Sequence, residues 1–492
     1  MLKFTGHPIY DVGVATVTAF SGKRDPSELT HEDLSRMADF IEREYVEDPF
    51  RTFFTAVFTN NAWFFQTAYR RDPQERLAYG QRITRAYAEP RRNAEELCVF
   101  TGETASDNAF SKNTAPGRAF RQHIPLMTGE GLINFYPSGD VGLPVSGKAI
   151  LCIQAFPLGC AKSGGKVLGV HSDRDAITLE FARKFLEYNL QSHNLAKAAG
   201  LKQLRDASMT PKTLLIDILL KYEELKSQEQ DVEGISPSIT AYHLTNHGQS
   251  NPLDRRNPPL EIYHLPMEIT SFAITVSTRP QYRDEFRALS ERAWRLEETS
   301  RRRRARVDRP KMNYLYEDLF SLPDNAPQFV RRYFLRIPRR RAYDADPRKY
   351  YSLSTESGLV SWKLTQLFLE RVMLMDKERV EEIRKLGDNL AEYVAGENDR
   401  AFFTAFFSVM NYAHFRNALI KANLRHVRNG NPPLITLDPY ITVFEEGYDI
   451  ARADWRFSRD LVLIRMIEQL HKNGWLGTNK DILPDSEAAK EE

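Results

Sequence analysis

Cysteine is scarce: Cys98, Cys152 and Cys160 are the only thiols in 492 residues. So small and odd a number excludes a disulfide framework and suits a reducing compartment. Long apolar runs are missing too. No stretch approaches the roughly 18 apolar residues of a membrane span, and the longest, such as Leu461 to Ile464, lie beside charges. The opening MLKFTGHPIYDVG lacks the charged-then-apolar pattern of a secretory leader, so a cytoplasmic chain without a membrane partner is expected. Net charge is only +2, whereas a freestanding DNA binder is usually more basic, so the charges must first be located.

Catalytic motifs are also lacking. A nuclease gathers carboxylates or histidines around metal ions, yet the eleven histidines form no H-E-x-x-H or H-x-x-H. His243, His247 and His264 lie close together around a loop. We read them as strand and loop residues; metal ligation is the alternative. Ser163-Gly164-Gly165-Lys166 holds only the tail of a phosphate-binding G-x-x-x-x-G-K-S/T loop. Cys160 has no sequence-adjacent His to activate it and reads as a buried structural thiol. A non-enzymatic protein is expected, with a metal-dependent nuclease built from scattered residues as one alternative and a purely protein-binding scaffold as another.

What is present is a chain of several domains: 29 Phe, 21 Tyr and 5 Trp supply ample core, and the length suggests roughly three. The fold class expected is α+β: a mixed, loop-rich N-terminal region followed by an all-α C-terminal bundle. Residues 1–210 open with a helix after Thr30 that carries Leu34, Met37, Ala38, Ile41 and Tyr45 on one face, with Asp33 completing a near capping box. Residues 98–150 are rich in Gly, Pro, Ser and Thr and read as an insertion of loops and hairpins. Residues 211–350 begin with the helix TLLIDILLKYEEL, followed by the strand-like SITAYHLT and EIYHLP and a helix near 281–299. Residues 351–478 show four helical stretches, with Gly430 and Gly474 where C-terminal caps belong. Residues 479–492 read as a disordered tail.

Certain words stand out in order along the first half: LKFTGHP at the start, NAWF at 61–64, CVFTG at 98–102, IPL at 124–126, NFYP at 134–137, GLPVSGKAI at 142–150, QAFPLGC at 154–160 and VHSD at 170–173, with NHGQ at 246–249 as a weaker echo. In these the chain resembles the large subunit family of type I-B CRISPR Cascade complexes, whose members carry C-x-x-C in both glycine-flanked words. Four thiolates would hold one zinc. Here Cys98 remains, and the other three positions are Thr101, Ser146 and Ala149, so no zinc or other cofactor is expected. Packing and hydrogen bonds from Phe100, Ile124, Phe135 and Leu143, or contact with another subunit, are expected to hold the loop instead, with ligation by Cys152, Cys160 or His123 as the rival.

The resemblance implies a role in RNA-guided DNA targeting. Its partners would be guide RNA near its 5′ end, target double-stranded DNA, the Cascade backbone, 5′-end-capping and small subunits, and either a helicase-nuclease or a transposition adaptor. The N-terminal domain would probe the duplex motif beside the target (the PAM). Candidates for that task are Asn60, Asn61, Lys112, Asn113, Arg118 and Gln122, since Asn and Gln pair with adenine edges and Lys and Arg with guanine. Met373 and Met375 would open a small-subunit-like fragment by internal translation.

Independently of the resemblance, positive charge is concentrated: residues 301–349 hold 15 Lys/Arg against 6 Asp/Glu, leaving the rest of the chain near −7. Arg301, Arg302, Arg303, Arg304 and Arg306 form one cluster. Arg331, Arg332, Arg336, Arg339, Arg340 and Arg341 form another, interleaved with Tyr333, Phe334 and Tyr343. Guanidinium groups bind phosphate and rings stack on unpaired bases, so both clusters are candidate nucleic-acid contacts; a solvated face or a salt-bridge network is the alternative. Lys421, Arg425 and Arg428, at the end of a C-terminal helix, join the candidates.

Overall fold

The computed structural model describes residues 1–59, 62–65, 72–88, 96–111, 114–127, 129, 141–229, 236–246, 257–294, 311–337, 351–446 and 450–483. The chain folds as α+β, and its C-terminal part is a helical bundle. It divides into two compact units: Met1–Ile218 with Pro237–Met267, and Leu219–Ser236 with Glu268–Glu492.

In the first unit α1 (Pro8–Phe20) is the core element. Every residue from Tyr10 to Thr18 is buried, as expected of a helix covered on all sides. It packs against α5 (Gly147–Ala155), α6 (Asp175–Ala198) and strand β4 (Lys166–Ser172). Gly13 makes the approach to α5 possible, because a Cβ there would lie 2.1 Å from the Cys152 carbonyl oxygen. Around this core stand α2 (His31–Glu44), α3 (Phe50–Phe54) and α4 (Pro73–Thr84). The capping box is complete: the Thr30 Oγ1 accepts from the Asp33 backbone N–H at 3.2 Å while Asp33 accepts from the Thr30 N–H at 2.9 Å. Leu34, Met37, Ala38, Ile41 and Tyr45 are all buried.

A short ribbon joins β1 (Arg118–Ala119) to β2 (Leu143–Pro144). The main sheet is antiparallel, in the order β3 (Ala161–Ser163), β4, β5 (Ile239–Leu244), β6 (Leu260–Leu265). Gly164 and Gly165, with φ of +58° and +78°, turn β3 into β4, the backbone a two-residue hairpin requires. The phosphate-loop echo is therefore a hairpin turn. The two strands expected in a middle segment form as read, but they belong to the first unit. Val167 pairs with Leu244 and Ser172 with Ile239, so the open edge of β4 is satisfied by chain from beyond residue 236. Backbone pairing of this kind overrides the boundary drawn from composition at 210/211.

Helix α7 (Pro211–Glu229) runs from the first unit into the second. The second unit continues with α8 (Met267–Thr278), α9 (Pro280–Arg292), α10 (Tyr314–Leu319), α11 (Ala326–Phe329), α12 (Leu353–Glu356) and α13 (Trp362–Arg371). Then come α14 (Lys377–Glu397), α15 (Arg400–Ser408), α16 (Tyr412–Arg428), α17 (Leu437–Phe444), α18 (Trp455–Lys472) and α19 (Trp475–Thr478). Helices α14 and α18 form its central pair, and 351 onward is not separate from 268–350. The periodic stretch 401–430 forms two helices: the Asn411 side chain accepts from the Ala413 N–H at 2.8 Å and starts a new helix. The tail read from 479 begins as packed chain. Asn479 is buried and donates to the Trp475 carbonyl at 2.9 Å, and Leu483 is buried. Gly430 and Gly474 adopt positive φ just past helix ends.

Candidate nucleic-acid interface

The two turns that resemble zinc knuckles sit side by side. The Val99 N–H donates to the Pro144 carbonyl at 3.1 Å, and the Ser106 N–H to Val145 at 2.8 Å. Within the first turn the Gly102 N–H donates to the Cys98 carbonyl at 2.8 Å, and Thr101 Oγ1 accepts from Glu103 N–H at 3.3 Å. In the second, Ser146 is the N-cap of α5 and accepts from the Ala149 N–H at 3.3 Å. Ala149 is wholly buried, and Phe100 packs edge-on against His7, with ring centroids 4.7 Å apart. Ile124 is buried and Leu143 packs on the same core; Phe135 lies outside the described residues. One thiol, two hydroxyls engaged with backbone and a buried methyl do not fit a zinc ion.

The proposed rescuers have other roles. Cys152 and Cys160 are fully buried, Cys160 donates to the Phe156 carbonyl at 3.2 Å, and burial pushes both thiols up in pKa. That suppresses the thiolate needed for ligation or attack. His123 is fully buried. Its Nδ1 accepts from the Phe120 N–H at 3.4 Å and its Nε2 lies 2.9 Å from the Tyr79 hydroxyl. Burial lowers its pKa to about 3, which keeps the ring neutral. His243 faces two acceptors, Glu261 and the Ser163 carbonyl, each at 3.0 Å, and His264 meets Thr240 across the strands at 2.8 Å. Both are sheet residues; His247 lies outside the described residues. Among the described residues no group of three or more His, Cys, Asp or Glu is gathered as metal ligands.

Of the six PAM candidates, Asn60, Asn61, Lys112 and Asn113 lie outside the described residues. Arg118 corrects the expectation. Its side chain is 3% exposed, its Nε donates to Glu96 at 3.0 Å, its Nη2 pairs with the same carboxylate, and Nη1 donates to the Gly142 carbonyl at 3.0 Å. Desolvation makes a buried guanidinium stay with its carboxylate, so Arg118 fastens the insertion internally. Gln122 is half-buried, with its Oε1 3.4 Å from the Tyr79 hydroxyl.

The basic segment divides likewise. Arg301 to Arg304 and Arg339 to Arg341 lie outside the described residues, as does Tyr343. Arg332 is buried on Asp318, Arg331 Nε lies 3.3 Å from Asp460, and Tyr333 and Phe334 pack on Phe329 in the core. Arg332, Tyr333 and Phe334 are interior residues and do not form a base-stacking surface, and Arg331 is only partly exposed beside Asp460. Their periodicity with Phe329 and Val330 was a legible sign of a buried turn. On α16, Arg425 pairs with Asp399 at 2.7 Å, while Lys421 and Arg428 are exposed and make no ion pair with a described residue. The same face exposes Ile420, Leu424 and Val427, a stripe that 4-3 spacing from Ala413 and Asn417 could have revealed.

No protein-family model, no curated protein and no solved structure matches the chain. No described helix is long and apolar enough to cross a membrane.

Proposed function

We propose that this chain is the large subunit of a type I-B Cascade-like complex, a nucleic-acid-binding component that leaves bond breaking to other proteins. The observation that carries this reading is the ordered series of words across the first half, from LKFTGHP through CVFTG and GLPVSGKAI to VHSD. Its role would be to test duplex DNA beside the target, help open it, and hold the displaced strand while guide RNA pairs. A helicase-nuclease or a transposition adaptor would then act. Phosphate contact would come from the arginine-dense 301–304 and 339–341 segments and from Lys421 and Arg428 on α16.

The position of Met373 and Met375 supports the small-subunit idea. They lie in the turn between α13 and α14, so a fragment starting at either would carry α14 to α19 whole. Silencing both as starts should remove the fragment from the purified complex, as read by mass analysis; an unchanged fragment would reject these sites.

The decisive experiment assembles guide RNA with the other subunits, with and without this chain, and follows target opening. The reading expects opening only with it. Equal opening without it overturns the proposal. Cutting of labelled DNA by the purified chain with Mg²⁺ or Mn²⁺ would establish the nuclease instead, and unchanged DNA affinity after charge reversal at Arg339 to Arg341 would favour the scaffold.

A further inference from the structure

Arg336 is the anomaly of the second unit. It follows the π-helical turn Val330–Phe334 and has φ of +61°, a conformation that L residues rarely adopt. Its side chain is turned inward: the residue is 2% exposed. Nε and Nη1 have no hydrogen-bond partner, and the side chain has no ion pair, among the described residues. Its neighbour Arg332 has Asp318 and Arg331 has Asp460. The guanidinium rests over the Tyr351 ring, 5.5 Å from its centroid. A buried guanidinium without an acceptor is strongly disfavoured, and burial lowers the Arg336 pKa.

Beside it is a cavity of about 70 Å³ lined by Arg336, Tyr333, Gly358, Ser361, Leu364 and Glu285, among others. Ser361 is the N-cap of α13, and no side chain caps that helix. The positive end of the α13 dipole therefore meets the cavity together with the guanidinium. That is several times the roughly 10–15 Å³ a cavity needs to hold one water, room for a small oxyanion. Glu285, an exposed residue of α9 that also lines the cavity, opposes an anion and competes for Arg336. The Glu356 carboxylate is already held by Arg292 at 3.0 Å.

We infer that Arg336, with Ser361 and the start of α13, forms a binding site for a phosphoryl group. The Arg336 guanidinium presents a charged donor to one phosphate oxygen, and the first-turn N–H groups of α13 supply donors for its other oxygens. The site stands whether or not the chain works in a guide-RNA complex.

Titration calorimetry of the full chain with inorganic phosphate, in phosphate-free buffer, tests this. One phosphate should bind per chain. Arg336→Gln should weaken it at least tenfold, and Glu285→Gln, an exposed change that leaves folding intact, should tighten it several-fold. Absent binding, or equal binding by wild type and Arg336→Gln, overturns the site. So does a Glu285→Gln variant that melts lower with unchanged phosphate affinity, because Glu285 would then be the partner of Arg336. Competition separates the source: displacement of phosphate by a 5′-phosphorylated oligonucleotide but not by its 5′-hydroxyl twin assigns a nucleic-acid end, and displacement by neither assigns a free oxyanion.

Discussion

Burial holds His123 neutral, with a pKa of about 3, against about 6.5 in an unfolded chain. Between these values the unfolded chain takes up a proton that the native ring refuses, so this group removes stability as pH falls through that window. Its share is at most about 1.4 kcal/mol per pH unit. His123→Gln should flatten the acid limb of urea-melt stability between pH 6 and 4; an unaltered slope would show that other groups set it. Glu44 acts in the same direction lower down. Burial alone would raise its pKa, but hydrogen bonds from Arg43, Lys197 and His193 hold it at about 2. Its contribution is present above the unfolded value and lost as pH falls toward 2. Arg118 gives the clearest contrast between sequence and structure. In sequence it is an arginine in a flexible Gly/Pro/Ser segment, but its 3% exposure makes it a fastener. Arg118→Met should lower stability by about 3 kcal/mol, seen as a fall in Tm, and leave DNA affinity per folded molecule unchanged.

At the scale of elements, local chemistry was largely readable. Thr30 and Asp33 announce the start of α2, and Thr30→Ala should cost about 1 kcal/mol in chemical melts, since one orphan N–H loses its acceptor. The β3–β4 turn follows from Gly164-Gly165, although the sequence reading compared it with a phosphate loop. Side-chain substitution at either position forces a positive φ onto an L residue; Gly165→Val should therefore destabilise by about 1–2 kcal/mol. The break between α15 and α16 was missed because apolar periodicity runs on through Val409 and Met410. Only the Asn411 cap marks it, and polar residues inside a periodic run are ambiguous until their backbone conformation is known.

At the scale of the molecule, charge distribution matters more than net charge. If the 339–341 arginines contact phosphates, replacing all three by glutamine should lessen the salt dependence of DNA binding by the assembled complex by about three units of slope. Lys421→Gln with Arg428→Gln should lessen it by about two. An unchanged slope in either case would remove that cluster from the interface. Arg332 belongs to neither set, because it is buried on Asp318.

By itself the sequence determined the α+β class, the helices with strong caps, and the strands at 239–244 and 260–265. Each depends on neighbours a few residues apart, where periodicity and capping chemistry act. Only the tertiary structure decided that β5 and β6 complete a sheet begun seventy or so residues earlier, that Arg118 and Arg332 are buried on carboxylates, and that the buried Arg336 has no ion pair among the described residues. Strand pairing and the choice of a carboxylate by a guanidinium depend on which distant segments the core brings together, and a linear pattern of charges carries no record of that.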